Sequence, residues 1–203
     1  MKLFASLTSP YARKVRILAH EKGLAIELCE VDTASKESPI ASLNPLGKVP
    51  VLLRDDQSVL FDSPVVLEYL DGLSEPKLLP PSGEPRFQVL LWQAVADGMM
   101  DASVLRMLEG RRPPALQIAS AQARQDEKVS RAMAWANQRL GGSFAWGDRL
   151  TLADIALGAA LEYVDLRNPH SWRDDHPVLA RWLAEISQRP SFAATRPPGL
   201  APA

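Results

Sequence analysis

The chain has 203 residues, 46% apolar and 23% charged, with 23 basic against 24 acidic side chains and a net charge of −1. Such neutrality gives no broad attraction to nucleic acid or to an anionic membrane surface, and no run approaches the roughly 18 apolar residues of a membrane-spanning helix, so neither is expected as a partner. A chain of this length forms one or two domains and buries about 70% of its extended surface. The opening stretch, residues 1–7, reads as too short for a signal peptide. The single Cys29 has no second cysteine to pair with, which fits a reducing compartment and predicts a cytoplasmic protein.

In chain order, Lys2–Ser6 reads as a first strand. Thr8-Ser9-Pro10 then opens a helix over 11–22, with Val15, Leu18 and Ala19 at helical spacing and Gly23 where a left-handed C-cap belongs. Ala25–Val31 reads as a second strand, and Ser38-Pro39 as the start of a short helix ending before Asn44-Pro45. Val49–Leu53 and Ser58–Phe61 are short apolar runs around the turn residues Asp55-Asp56-Gln57, the signal for an antiparallel hairpin. Ser63-Pro64 opens a helix to Gly72, with serine as N-cap and proline at the first helical position. The order βαβαββα predicts an α/β domain of thioredoxin-like layout over residues 1–76.

Prolines crowd residues 76–85, a linker placed at 77–83, after which strand-like runs vanish and an all-α domain is expected over 84–203. Phe87–Gly110 is apolar over most of its circumference, as a central buried helix is. Pro113-Pro114 is expected to open a longer helix through Leu140, stopped by Gly141-Gly142. Thr151 with Asp154 reads as a capping box with Leu150 and Ile155 as its hydrophobic staple, heading a helix to about Asp165. A last helix is expected over 177–188, followed by an irregular Pro-rich tail.

Chemistry is expected where helix N-termini converge, because their partial positive charge and free N–H groups favour a thiolate or a carboxylate. Ser9 and Ser63 both follow strands and suit one sheet edge, although each also serves simply as a helix cap. The run Asn44-Pro45-Leu46-Gly47-Lys48-Val49-Pro50-Val51-Leu52 followed by Asp62-Ser63-Pro64 resembles the glutathione site of cytosolic glutathione S-transferases. With Ser9-Pro10-Tyr11-Ala12 heading the first helix and no cysteine there, the chain is most similar to small bacterial serine-type members. The resemblance covers essentially the whole chain, including the linker and the Thr151–Asp154 box.

The resemblance implies a glutathione transferase, with glutathione as co-substrate, a small hydrophobic electrophile as acceptor, no metal, and a homodimer. It implies that Ser63 and its helix receive the γ-glutamyl carboxylate, that Asp62 meets the α-ammonium group, and that Val49, before a cis Pro50, pairs with the cysteinyl peptide. Lys48 and Lys36 would meet the glycyl carboxylate; by default both are solvated surface charges. Ser9 would donate a hydrogen bond to the thiolate, with Thr8 and Tyr11 as alternatives within one turn. Tyr11, Asp97, Met100 and Asp101 are candidates for the acceptor pocket between the domains or for an interface. Two other readings are a non-catalytic docking module on the same fold and a glutathione-dependent peroxidase. Cys29 is expected to be a small buried residue without a role.

Overall fold

The computed structural model describes residues 1–35, 37–167 and 171–200. The chain divides into two compact units, one formed by Met1–Pro81 together with Pro190–Gly199 and the other by Ser82–Arg189.

The first unit begins with β1 (Lys2–Ala5), α1 (Pro10–Glu21), β2 (Glu27–Glu30), α2 (Ile40–Leu43), β3 (Val51–Leu53), β4 (Val59–Leu60) and α3 (Ser63–Gly72). This is the expected βαβαββα order, on a four-stranded sheet ordered β2-β1-β3-β4. β1 pairs parallel with β2 (Phe4 opposite Cys29) and antiparallel with β3 (Leu3 opposite Leu52), and β3 pairs antiparallel with β4 (Leu52 opposite Leu60). Alternation along β1 sends Leu3 and Ala5 inward. They meet a core that includes Val15 and Leu18 of α1, Val51 and Leu52 of β3, and Val66, Leu67 and Leu70 of α3, all buried. α1 ends in a Schellman motif: Gly23, at φ +62°, donates to His20 O at 3.1 Å and Leu24 donates to Ala19 O at 2.9 Å.

Two cap assignments differ from expectation. Asp62, not Ser63, is the N-cap of α3; its carboxylate accepts from Ser63 N and Ser63 is the first helical residue. A carboxylate makes the stronger, charge-assisted bond to a helix N-terminus, so it displaces the neighbouring hydroxyl. At α2 the cap position falls to Pro39, with no side-chain bond from Ser38. Cys29 is half-buried rather than buried, because β2 is the edge strand. Desolvation and then the Glu27 carboxylate, 3.7 Å away, push its thiol up.

The second unit contains α4 (Gly83–Gly110), α5 (Ala119–Arg139), α6 (Leu152–Arg167) and α7 (Pro177–Ile186). The helix buried on all sides is α6, not α4: every residue from Leu152 to Val164 is buried, whereas α4 leaves Phe87, Leu91, Leu105 and Leu108 exposed. Small residues explain the difference, since Ala153, Ala156, Gly158, Ala159 and Ala160 let neighbouring helices approach α6 from every side. The long α5 does not start at the prolines. Pro113 is held extended by the proline after it (ψ 137°), Pro114–Leu116 make a single 3-10 turn, and the helix begins at Ala119.

The capping box heading α6 forms as expected. Thr151 N and Thr151 Oγ1 donate to Asp154 Oδ2 at 2.7 and 2.9 Å, and Ala153 N donates to Thr151 Oγ1 at 3.2 Å. The other oxygen, Oδ1, accepts Ala145 N at 2.6 Å, tying the preceding loop to the helix. Burial pushes the Asp154 carboxyl up to about 6, against the hydrogen bonds that favour its ionised form.

The tail is not wholly irregular. It forms α8 (Pro190–Ala194), which packs on α1 in the first unit. Its two ends meet opposite charges: Ser191 Oγ donates to Glu21 at 2.5 Å, while Arg13 and Arg16 donate to Phe192 O and Thr195 O at 3.4 and 3.5 Å. An acid at the helix start and cations at its end complement the helix dipole.

Candidate active site

Strand directions decide where the chemistry collects. β1 runs antiparallel to β3, and β3 antiparallel to β4, so β1 and β4 run parallel and end at the same sheet edge. The start of β3 lies at that edge too, because Val51 is opposite Phe4. Each segment that leaves or enters the edge carries one element of the predicted site. Ser9 follows β1, Val49-Pro50 precedes β3, and Asp62-Ser63 follows β4.

At the head of α1, Ser9 is the N-cap and its Oγ accepts Ala12 N at 3.2 Å. The hydroxyl oxygen is thus engaged as acceptor while its hydrogen stays available, and the helix N–H polarises it. Thr8 Oγ1 instead shares a 3.3 Å hydrogen bond with Ser6 Oγ. Tyr11, two residues further on, is half-buried.

The peptide bond between Val49 and Pro50 is cis. Pro50 is buried, Val49 half-buried and Lys48 exposed. The loop in front of them is held by a residue to which sequence reasoning gave no role, Asn44. Its buried side chain donates from Nδ2 to Lys48 O and accepts Leu46 N at Oδ1, both at 2.9 Å. Gly47, at φ +63°, closes the turn by donating to Asn44 O at 2.8 Å. The signal was present: asparagine before a Pro-x-Gly segment is an Asx-turn former.

At the head of α3, Asp62 is exposed while Ser63 is 1% exposed, and the Ser63 hydroxyl has no hydrogen-bond partner among the described residues. A buried donor left unpaired is unfavourable by about 1–3 kcal/mol, so the position is suited to an acceptor brought by a ligand. Lys36 lies outside the described residues. In the helical unit, Asp97 and Asp101 occupy one face of α4, half-buried and exposed respectively, while Met100 is wholly inside that unit. Among the described residues no group of three or more His, Cys, Asp or Glu is placed to hold a metal, and no helix is long and apolar enough to cross a membrane.

Comparison with known proteins identifies the family and the fold. Residues 3–78 match the profile of the glutathione S-transferase N-terminal domain, and residues 119–185 that of the C-terminal domain. The GST-like protein YibF of Escherichia coli K12 is 36% identical over 98% of this chain and 99% of its own. A glutathione S-transferase of Methylobacillus flagellatus, crystallised with glutathione bound, is 41% identical and superposes with a TM-score of 0.93, covering 97% of this chain and 98% of its own. A glutathione transferase family member of Pseudomonas fluorescens Pf-5, also with bound glutathione, is 41% identical with a TM-score of 0.91 over the same shares of the two chains.

Proposed function

Because this chain belongs to the glutathione S-transferase family, we propose that it binds glutathione at the sheet edge bearing Ser9, Val49-Pro50 and Asp62-Ser63, and transfers it as a thiolate to a small electrophile. The observation that carries the reading is the convergence of those three segments at one edge, with one hydroxyl hydrogen free at Ser9 and one buried hydroxyl unpaired at Ser63.

Each part of the tripeptide meets a group of matching chemistry. The γ-glutamyl carboxylate is received at the N-terminus of α3 and completes the hydrogen bonding of Ser63, while Asp62 accepts from the adjacent ammonium. The cysteinyl peptide pairs with the backbone of Val49 as an added strand. The glycyl carboxylate is assigned to Lys48 and, on the family resemblance alone, to Lys36. The sulfur then lies at the head of α1, where the Ser9 hydroxyl donates to it. In the transfer step the sulfur lone pair forms the new carbon–sulfur bond as the leaving group departs with the electrons of the bond it gives up. The thiol proton passes to solvent beforehand. The sole cysteine, Cys29, whose thiol is pushed up by burial and by Glu27, takes no part, and a cytoplasmic location belongs to the same reading.

The test pairs turnover with binding. Wild-type protein mixed with glutathione and a nitro-activated aryl halide is expected to yield the thioether. Ser63→Ala is expected to raise KM for glutathione about tenfold or more, as the loss of one hydrogen bond to a charged group does, with kcat largely retained. No thioether and no calorimetric binding of glutathione by the wild type would contradict the proposal.

Self-association is part of the same reading. Phe87 and Leu91, 64% and 46% exposed, stand one turn apart on α4, an apolar pair that a second copy of the chain would cover. Sedimentation velocity is expected to show a dimer, and a monomer after Phe87→Glu with Leu91→Glu. A monomeric wild type would contradict it.

A further inference from the structure

We infer that Lys22 and Asp71 are positioning residues, one buried ion pair that fixes α1 against α3 at their C-terminal ends and so sets the spacing of Ser9 and Ser63 at their N-terminal ends. The inference rests on the glutathione reading above and concerns residues that touch no part of the ligand.

The pair is unusually complete. Lys22 Nζ lies 2.9 Å from Asp71 Oδ1, with the two side chains 2% and 4% exposed. The three N–H groups of the ammonium are shared between that carboxylate and three carbonyls, Asp71 O at 3.2 Å, Ser74 O at 2.8 Å and Pro76 O at 2.7 Å. The carboxylate accepts Leu78 N at 2.8 Å on Oδ1 and Leu79 N at 2.9 Å on Oδ2. Each desolvated charge is therefore met by several partners, the condition under which a buried ion pair is tolerated.

Stability alone does not call for such a pair, since apolar residues of similar volume often serve a buried site equally well. What the pair adds is register. Lys22 is the C-cap of α1, and Asp71 is the penultimate residue of α3. The two helices pack against each other, and their parallel parent strands bring both N-termini to one sheet edge. An ammonium with four convergent acceptors is satisfied in one relative placement of the helices, and sliding α1 along α3 by a fraction of a turn breaks the set. A helix of 10 or 12 residues is a rod of about 15–18 Å, so an offset at the clamped end appears at the ligand end. There one helix receives the γ-glutamyl carboxylate and the other the sulfur, and the tripeptide spans both.

Lys77 supplies the control. Its Nζ caps carbonyls of the same turn, Gly72 O at 2.8 Å and Ser74 O at 3.4 Å, without touching α1. A role limited to ordering the turn after α3 would be shared by Lys77; a role in helix spacing would not.

The experiment measures the pKa of enzyme-bound glutathione by ultraviolet thiolate absorbance. It also measures affinity for the sulfur-free analogue γ-glutamyl-2-aminobutyryl-glycine, which reaches α3 but offers Ser9 nothing. Lys22→Met and Asp71→Asn are expected to raise the bound thiol pKa by about one unit, a tenfold loss of thiolate preference, while analogue affinity stays at the wild-type value. Lys77→Met is expected to match wild type in both. Where Lys22→Met does not fold, Lys22→Arg keeps the charge, and its planar fork cannot meet four convergent acceptors, so the same upward shift is expected. An unchanged thiol pKa in the Lys22 and Asp71 variants overturns the inference, as does an equal shift in Lys77→Met. A wild type that binds glutathione without lowering its pKa, or does not bind it, overturns the glutathione reading itself, and the inference falls with it.

Discussion

Replacing Ser9 with alanine is expected to lower the rate of thioether formation at pH 7 and saturating glutathione about twentyfold, the ratio of thiolate fractions for a two-unit change in pKa, with the affinity for glutathione falling only a few-fold. A free thiol with a pKa near 8.5 is only a few per cent ionised at pH 7, and a depression of about two units makes the thiolate the majority form, a difference of roughly 2.7 kcal/mol. Ser9 is placed to supply much of it. Its oxygen accepts the Ala12 amide, so its hydrogen points away from the helix and is made more acidic by that bond, and a hydrogen bond to a charged acceptor is the strong kind. The tripeptide's other anchors at Val49 and Ser63 do not depend on Ser9, so binding survives. Stopped-flow kinetics over pH separates the cases. The Ser9→Ala rate should regain the wild-type value only at alkaline pH, where the thiol ionises unaided. A variant with wild-type rate at neutral pH would reduce Ser9 to a helix cap and turn attention to Thr8 and Tyr11.

Asp154→Ala should have a large effect on stability. The side chain is buried and accepts three donors, Ala145 N, Thr151 N and Thr151 Oγ1. Stranding them is unfavourable by about 1–3 kcal/mol each, which sums to about 3 kcal/mol at the least, a large part of the 5–15 kcal/mol typical of a folded domain. All five tryptophans lie between residues 92 and 182, within the helical unit, so tryptophan fluorescence during urea unfolding reports the unit that holds Asp154. The pH dependence follows from the sign of its shift. The folded carboxyl titrates near 6 and the unfolded one near 4, so between those values the folded state holds the extra proton. Its contribution to stability therefore falls as pH rises from about 4 to about 6 and is level above that, a slope that Asp154→Asn should remove. A wild type and an Asp154→Asn variant whose difference is constant across this window would contradict the assignment.

Local signals account for most of what the sequence made legible. The βαβαββα order, the Gly23 C-cap, the Asp55-Asp56-Gln57 turn and the Thr151–Asp154 box each depend on residues within a few positions of one another, and all are present. Expectations failed where a nearby competitor or the packing of other elements decided the outcome. Asp62 outcompeted Ser63 for the cap because a charged acceptor was one residue away. An apolar surface over most of its circumference marked Phe87–Gly110 as the central helix, but small side chains gave α6 that place. Pro113-Pro114 looked like a helix start, yet two consecutive prolines hold the first in an extended state. At the candidate site the residue types were readable from the motif, whereas the shared edge needed the sheet order. Asn44 lies within the motif, and its Asx-turn depends only on the Pro-x-Gly segment that follows it. The Lys22–Asp71 pair was invisible, since 49 positions separate residues that by type alone belong on the surface.

The most direct test is the ultraviolet thiolate absorbance of glutathione bound to the wild-type protein, titrated from about pH 5 to pH 9 around the free thiol's pKa near 8.5. A thiolate that persists to about pH 6.5, as a two-unit depression requires, is the expected result. Glutathione that binds yet titrates like the free thiol would contradict activation at the α1 N-terminus, and with it the transferase.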